Sequence, residues 1–277
     1  MSRRLAGRLG WNTVGVVLFA LMVFPVFWMI STAFKTNDQI YSFDPVWLPG
    51  HPTLHHFTAA LHRPYFWVDV KNSVIVVLVT VAIALALSFL AAVALAKYRF
   101  TGRKLFIVLV IGIQMLPPTG MIIPLYVLLA RYGEVNKLSG LILVYLTFSL
   151  PFCVWTLRAF LIGIPKELEE AAMVDGSTRL GAFIRILLPL SAPGLVATSV
   201  FAFITAWNEF IFANTLLSKG STQTITVWLS LLYGGNRFVD WGAIMAASTL
   251  ISIPVVLFFL LVQRRIAFGL TAGAVKA

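Results

Sequence analysis

The chain has 277 residues, of which 60% are hydrophobic and only 11% charged, with one cysteine and a formal net charge of +11. Charge this sparse, against the usual quarter of a soluble domain, excludes a water-wetted globule and points to lipid as the solvent. The basic residues lie between apolar runs instead of forming a water-soluble patch with aromatics, which argues against nucleic acid, and the lone Cys153 supports neither a disulfide framework nor a thiolate metal site.

A helix needs about 20 mostly apolar residues to cross a hydrocarbon core about 30 Å thick. Windows of that kind predict six transmembrane helices, at 11–33, 73–96, 105–130, 141–161, 191–216 and 241–262. The first follows "RRLAGRLG". It is longer than a signal-peptide core and no small-residue cleavage site follows, so it reads as a retained span. The connection after it, "HPTLHHFTAALH", holds all four histidines, His51, His55, His56 and His62. Only His51 and His55 have i, i+4 spacing, and the proline and turn residues argue against a helix, so no metal site is expected. Asp38, Asp44, Tyr41, Phe43 and Trp47 of the same connection predict a capped outer vestibule.

Proline falls in or at the mouth of five spans, as Pro25, Pro117, Pro118, Pro124, Pro151, Pro193 and Pro254. Each removes a helix hydrogen bond, which a span tolerates only where neighbours or water satisfy the freed carbonyl. Static kinks and moving hinges both fit. In the third and fourth spans Gln114, Tyr145, Thr147 and Ser149 are polar candidates for a solute lining or for bonds between helices. Arg158, near the end of the fourth, reads as a snorkelling cation.

The fourth and fifth spans are joined by "PKELEEAAMVDGSTRLGAFIRILLP", residues 165–189. Pro165 suits the first position of a helix, and Glu167, Glu169 and Glu170 favour the positive end of its dipole. Ile164, Leu168, Ala171 and Ala172 recur with helical period and predict a short amphipathic helix with an apolar inner side. Asp175 and Gly176 mark a turn. Ser177 is the expected N-cap of a second helix, in which Leu180, Phe183, Ile184, Leu187 and Leu188 repeat the period up to Pro189. The run carries three basic and four acidic residues, a poor match to anionic lipid and a better one to a protein surface.

In the fifth span "AWNEF" places Trp207, Asn208 and Glu209 together. An ionised carboxylate at mid-helix costs roughly 2.5–3.5 kcal/mol on insertion scales, so Glu209 faces a polar cavity, a partner chain or nearby water. Asn and Glu suit hydroxyl recognition, and an aromatic face stacks on the C–H side of a sugar. The connection 218–240 has an apolar centre between glycines, read as a re-entrant or an interfacial helix. Assigning alternate connections to opposite sides puts 14 of the 21 Lys and Arg residues in the tails and even connections and 7 in the odd ones, so both termini are expected in the cytoplasm.

The string "EAAMVDGSTRLGAFIRILLP" resembles the motif E-A-A-x3-G-x9-I-x-L-P of the permease subunits of bacterial ATP-binding-cassette importers. Glu170, Ala171, Ala172, Gly176, Ile186, Leu188 and Pro189 fall on its offsets. "LRAFLIGIPKELEEAAMVDGS" and the tail "QRRIAFGLTAGAVKA" look like the carbohydrate branch, specifically the second permease subunit of maltose-type systems, and the likeness runs through nearly the whole chain.

The resemblance implies an all-α membrane protein of six transmembrane helices in one permease domain, 1–277. A coupling loop spans about 163–190 and a cytoplasmic tail about 264–277. The first loop helix then seats in a cleft of a cytoplasmic ATPase. There Glu170 pairs with a basic group, Ala171 and Ala172 allow close approach, Asp175 and Gly176 make the turn, and a large side chain at Ala172 obstructs the socket. Residues 269–277 resemble a tail that reaches toward the ATPase, and the 218–240 connection resembles a loop that probes an external binding protein.

Implied partners are a homologous second permease, two ATPase subunits, an extracytoplasmic solute-binding protein, a sugar and the lipid of a bacterial inner membrane. No G-x-x-x-x-G-K-[ST] loop occurs, so no cofactor is expected in this chain and ATP and Mg belong to the partner ATPase. Gln114, Trp207, Asn208 and Glu209 are the expected solute-pathway residues. Other readings are an importer of glycerol phosphates or polyols, an ion-coupled secondary transporter, which calls for paired ionisable residues within the spans, and a membrane enzyme, which calls for clustered acid, base or metal-ligand groups.

Overall fold

The computed structural model describes the backbone of residues 3–234 and 239–274 and the side chains of residues 11–233 and 239–263. In chain order the helices are α1 (Arg3–Ala33), α2 (Asn37–Ile40), α3 (His55–Leu61), α4 (Phe66–Lys97), α5 (Arg103–Gln114), α6 (Ile122–Arg131), α7 (Leu138–Ile162), α8 (Glu167–Val174), α9 (Arg179–Ala182), α10 (Leu188–Leu190), α11 (Ala192–Asn208), α12 (Ile211–Leu216), α13 (Ile225–Gly234) and α14 (Trp241–Ala274). A 3-10 turn, Pro118–Met121, leads into α6, and a π turn, Phe183–Leu187, joins α9 to α10. No strand occurs among the described residues.

Among the described residues four helices are long and apolar enough to cross a membrane: Trp11–Ala33, Phe66–Lys97, Leu138–Ile162 and Trp241–Gln263. The number reaches six if each of two bent helix pairs is one span. The expected third span is such a pair, Arg103–Gln114 with Pro118–Arg131, bent by 94°. Two consecutive prolines, Pro117 and Pro118, remove two amide donors there, so the α-helical ladder stops and restarts. The expected fifth span, 191–216, is shorter than its apolar run: α11 ends at Asn208, and Arg179–Leu190 meets it at 63°. Pro25, Pro151 and Pro254, by contrast, lie inside continuous helices.

The chain divides into two compact units. The first comprises Met1–Trp67 and Trp228–Ile253. The apolar stretch of α1 buries none of its most hydrophobic window within the chain, so lipid or another polypeptide must cover it. Around its end, Phe24, Trp28 and Trp47 cluster and Ser31 donates to the Trp47 carbonyl at 2.8 Å. Within the histidine segment only His55–Leu61 is helical, as α3, so His51 and His55 do not share a helix; Phe57 packs on Phe34 at 4.9 Å and buried His56 donates through Nε2 to the Lys35 carbonyl at 3.0 Å. A cavity of about 370 Å³ is lined by Trp28, Lys35, Phe43, Asp44 and Trp241 among others. Of the five residues expected in a vestibule, Phe43 and Asp44 line it. The Lys35 ammonium lies over the Trp28 ring at 3.9 Å, and burial pushes its pKa down.

The second unit comprises Val68–Val227 and Pro254–Ala277. Hydrocarbon outside the bundle is as apolar as hydrocarbon within it, so packing and polar ties hold these helices together. Phe89, Ala92 and Val93 of α4 meet Leu157 and Leu161 of α7, with Leu187 closing the cluster. Residues 218–227 of the connection read as a re-entrant or interfacial helix belong to this unit. Ser73 accepts from the Ile225 amide at 2.8 Å, Asn72 donates to the Gln223 carbonyl at 2.9 Å, and Ile225 and Val227 are wholly buried. Helix α14 runs on to Ala274, and residues 275–277 of the expected tail lie outside the described residues.

Asn136 fastens two connections of this unit. Its backbone is left-handed (φ 62°), and its Oδ1 accepts from the Ser218 amide at 2.7 Å and the Ser218 hydroxyl at 3.0 Å. Replacing Asn136 by Ala is expected to cost about 1–2 kcal/mol, from the lost bonds and the left-handed strain. Gly, which removes only the strain, is expected to recover part of it in thermal unfolding of the purified protein.

Candidate functional site

The charged loop between α7 and α10 is rooted in the core and exposed at its tip. Helix α8 opens at Glu167, two residues later than Pro165 led one to expect, because the preceding backbone is held elsewhere. Lys97, at the last turn of α4, donates to the Ile164 carbonyl at 2.9 Å and pairs with Glu169 Oε1 at 3.0 Å. The Lys97 side chain is 6% exposed and that of Glu169 21%, so this is a largely desolvated tie between α8 and α4. Glu167 and Glu170 stay in solvent in the first turn of α8, where the dipole favours them.

The expected apolar inner side of α8 is not turned inward. Leu168 and Ala171 are exposed, Ala172 is half-buried, and Met173 and Val174 also face out, so no residue of α8 is buried. The helix ends in a Schellman motif: the Ser177 amide donates to the Ala172 carbonyl at 2.9 Å and the Gly176 amide to the Met173 carbonyl at 3.1 Å. Gly176 has φ 89°, and a Cβ there would meet nothing within 4 Å. The backbone angle, not space, is what demands glycine. Asp175 is the C-cap, and Thr178 is the N-cap of α9 in place of Ser177, accepting from the Gly181 amide at 3.1 Å.

Beyond it, the π turn shifts the helical register, so only part of the expected apolar stripe faces the core. Phe183 meets Phe89 at 5.6 Å and Leu187 is 1% exposed, whereas Leu180 and Ile184 face out. Ile186 is half-buried and Leu188 and Pro189 are at the surface.

Glu209 is not at mid-helix. Its backbone is extended, and its carboxylate caps the helix that follows: the Phe212 amide donates to Oε1 at 2.8 Å and the Ala213 amide to Oε2 at 3.0 Å. Tyr145 adds a bond to Oε2 at 2.8 Å, and Thr226 donates to the Glu209 carbonyl at 2.8 Å. A carboxylate at a helix N-terminus is stabilised by amides that otherwise have no partner, which accounts for a charge here without an ion pair among the described residues.

Glu209, Tyr145 and Ser149 line a cavity of about 190 Å³ with Pro118, Thr119, Phe148 and Thr205. Gln114 is exposed at the end of α5, Asn208 is exposed, and buried Trp207 stacks on Phe203 at 5.8 Å. Pro118, Thr119 and Phe148 escaped notice in the sequence, although the double proline signals the helix break that brings Thr119 in. A second carboxylate, Asp69, also escaped. It is wholly buried in α4, and neither oxygen has a hydrogen-bond partner. Among the described residues no three His, Cys, Asp or Glu side chains are arranged to hold a metal ion.

Residues 84–271 match the family described as binding-protein-dependent transport system inner membrane component. The chain is 46% identical over 279 residues, covering all of both sequences, to the diacetylchitobiose uptake system permease protein DasC of Streptomyces coelicolor. It is 36% identical, over 95% of each chain, to the trehalose/maltose transport system permease protein MalG of Thermococcus litoralis. In structure it is similar to a chain of a bacterial ABC transporter involved in the import of alginate, with a TM-score of 0.83 at 20% identity over 95% of this chain and 98% of that one.

Two outcomes follow from the geometry. Lys97→Met is expected to cost about 3 kcal/mol because it strands Glu169 and the Ile164 carbonyl, and Lys97→Met with Glu169→Leu to cost less than the single change. Glu209→Gln exchanges one acceptor oxygen for a donor facing an amide, with an expected loss of about 1–2 kcal/mol. Thermal unfolding in detergent reads both.

Proposed function

We infer the function from one premise: the chain belongs to the family of binding-protein-dependent transport system inner membrane components. It is a permease subunit of an ATP-binding-cassette sugar importer, a multi-pass membrane protein and a transport component, not an enzyme. Its relatives carry permease names for diacetylchitobiose and for trehalose and maltose, which supports a small oligosaccharide as the solute. A neighbour of similar fold, with a TM-score of 0.67, is an alginate transporter in complex with a substrate-bound periplasmic protein, which supports an extracytoplasmic binding protein as a partner.

In the finer reading the chain is one permease domain that crosses the membrane six times, each bent pair counting as one span, with both termini in the cytoplasm. A homologous permease completes the pathway. Two cytoplasmic ATPases hold the ATP and Mg, and this chain holds no cofactor. Of Gln114, Trp207, Asn208 and Glu209, the last is kept as the solute-facing group, because it lines a cavity and its Oε1 accepts a single bond, leaving capacity for a hydroxyl.

The coupling reading rests on one observation: α8 is anchored at its root by Lys97, closed by a left-handed glycine, and exposed at Leu168, Ala171 and Val174. A helix held at its base with an uncovered face is suited to sit in another protein. Glu170, Ala171, Ala172, Asp175 and Gly176 form the seat, and Ile186, Leu188 and Pro189 its return to the membrane. ATP binding draws the two ATPases together, and α8 carries that motion through Lys97 into α4, biasing the pathway between inward and outward states.

Gly176→Val is expected to reach the membrane at normal level and abolish uptake, because a β-branched residue is strained at φ 89°. Undiminished uptake would remove the turn from the mechanism. A cysteine at Ala172 is expected to crosslink to the ATPase subunit during turnover, and its failure to do so in every nucleotide state would remove the seat.

A further inference from the structure

A second site lies where the chain passes from α4 into α5. An open cavity of about 690 Å³ is lined by Arg99, Arg103, Lys104 and Arg158, with Phe100 and Leu105 beside them. Four cations converge there with no carboxylate in the lining, and among the described residues none of the four has an ion-pair partner. Arg158 Nε is buried without a hydrogen-bond partner, while its guanidinium lies 5.5 Å from the Trp155 ring. Buried donors of this kind are normally satisfied.

The backbone adds to the same field. Helix α5 opens on Gly102 in the left-handed region (φ 91°), with no capping side chain and no acidic residue in its first turn. Its positive end instead carries Arg103 and Lys104, the reverse of what the dipole favours. An uncapped helix N-terminus reached through a glycine turn and ringed by cations is a ready receptor for an anion. Leu105 is 62% exposed and Phe100 47%, so an apolar surface adjoins the cationic one where α5 begins to enter the membrane.

We propose that this cavity binds the phosphate of an anionic phospholipid of the cytoplasmic leaflet. Arg158 and the α5 N-terminus hold the phosphate, Arg99 and Lys104 flank it, and the acyl chains lie along Leu105 and Phe100. Phosphate is the recognised group, so a soluble phosphate ion shares the chemistry; the exposed apolar flank favours the lipid. The leaflet rests on the orientation proposed above, but lipid occupancy does not depend on transport, so each reading can fail without the other.

The test is retention of lipid by the full chain purified with its partner subunits. After reconstitution in nanodiscs of phosphatidylethanolamine with added phosphatidylglycerol, bound phosphatidylglycerol is counted by native mass spectrometry. Arg158→Gln is expected to weaken retention about tenfold, the loss of one charge-assisted bond, and Arg103→Gln with Lys104→Gln, which removes two cations, to weaken it at least as much. Arg158→Lys, which keeps the charge and guards against a folding defect, is expected to fall between. Arg131→Gln, on another connection, is expected to change nothing. Equal retention by wild type and by all the site variants would overturn the site. In lipid-free detergent, inorganic phosphate alone is expected not to raise the melting temperature; an Arg158-dependent rise would overturn the lipid and leave a free phosphate ion as the ligand.

Discussion

Inside a bilayer a backbone amide or carbonyl that leaves a helix must find its partner within the protein. This chain leaves its helices at a few points, and several of these departures are met by a particular side chain. The Glu209 carboxylate takes the first amides of α12, and Lys97 takes the Ile164 carbonyl where α7 gives way to the loop. Asn72 and Ser73, early in α4, take the backbone groups that lead into α13. In a sequence with only 11% charged residues, several of the few polar groups in apolar surroundings are spent on closing helix breaks.

The same constraint gives the permease its mechanical character. The loop that carries α8 is rooted twice, by the Lys97–Glu169 pair and by Phe183 and Leu187 packing against α4 and α7. Its outer face bears no such ties and is free to take a socket. Two residues beyond Lys97 the chain turns to Arg99 and the cationic cavity at the start of α5. The C-terminal end of α4 thus carries the Lys97 tie to the charged loop and leads within two residues to the cationic lining at the start of α5.

Much of this was legible from the chain alone wherever the physics is local. Apolar runs mark membrane helices because transfer into hydrocarbon is summed over neighbouring residues, and the glycine at 176 announces a left-handed turn because other residues pay strain there. Where the reading failed, distant partners decided. The second half of the histidine segment, His55–Leu61, is helical, with Phe34 and the Lys35 carbonyl receiving Phe57 and His56. Leu168 and Ala171, apolar by pattern, stay on the surface because nothing within this chain covers them.

Sequence by itself determined the solvent, the all-helical class, the family and the turn at Gly176, since hydropathy, motif spacing and backbone sterics act over a few residues. Tertiary structure alone decided which prolines interrupt a helix, as at Pro117 and Pro118, and which are passed over, as at Pro151 and Pro254. It also decided that Glu209 caps a helix with help from Tyr145, 64 residues away, and that Lys97 holds a loop more than 60 residues further on. Whether a broken backbone bond or a lone charge is tolerable depends on which polar group lies within 3 Å, and only the folded chain brings that group near.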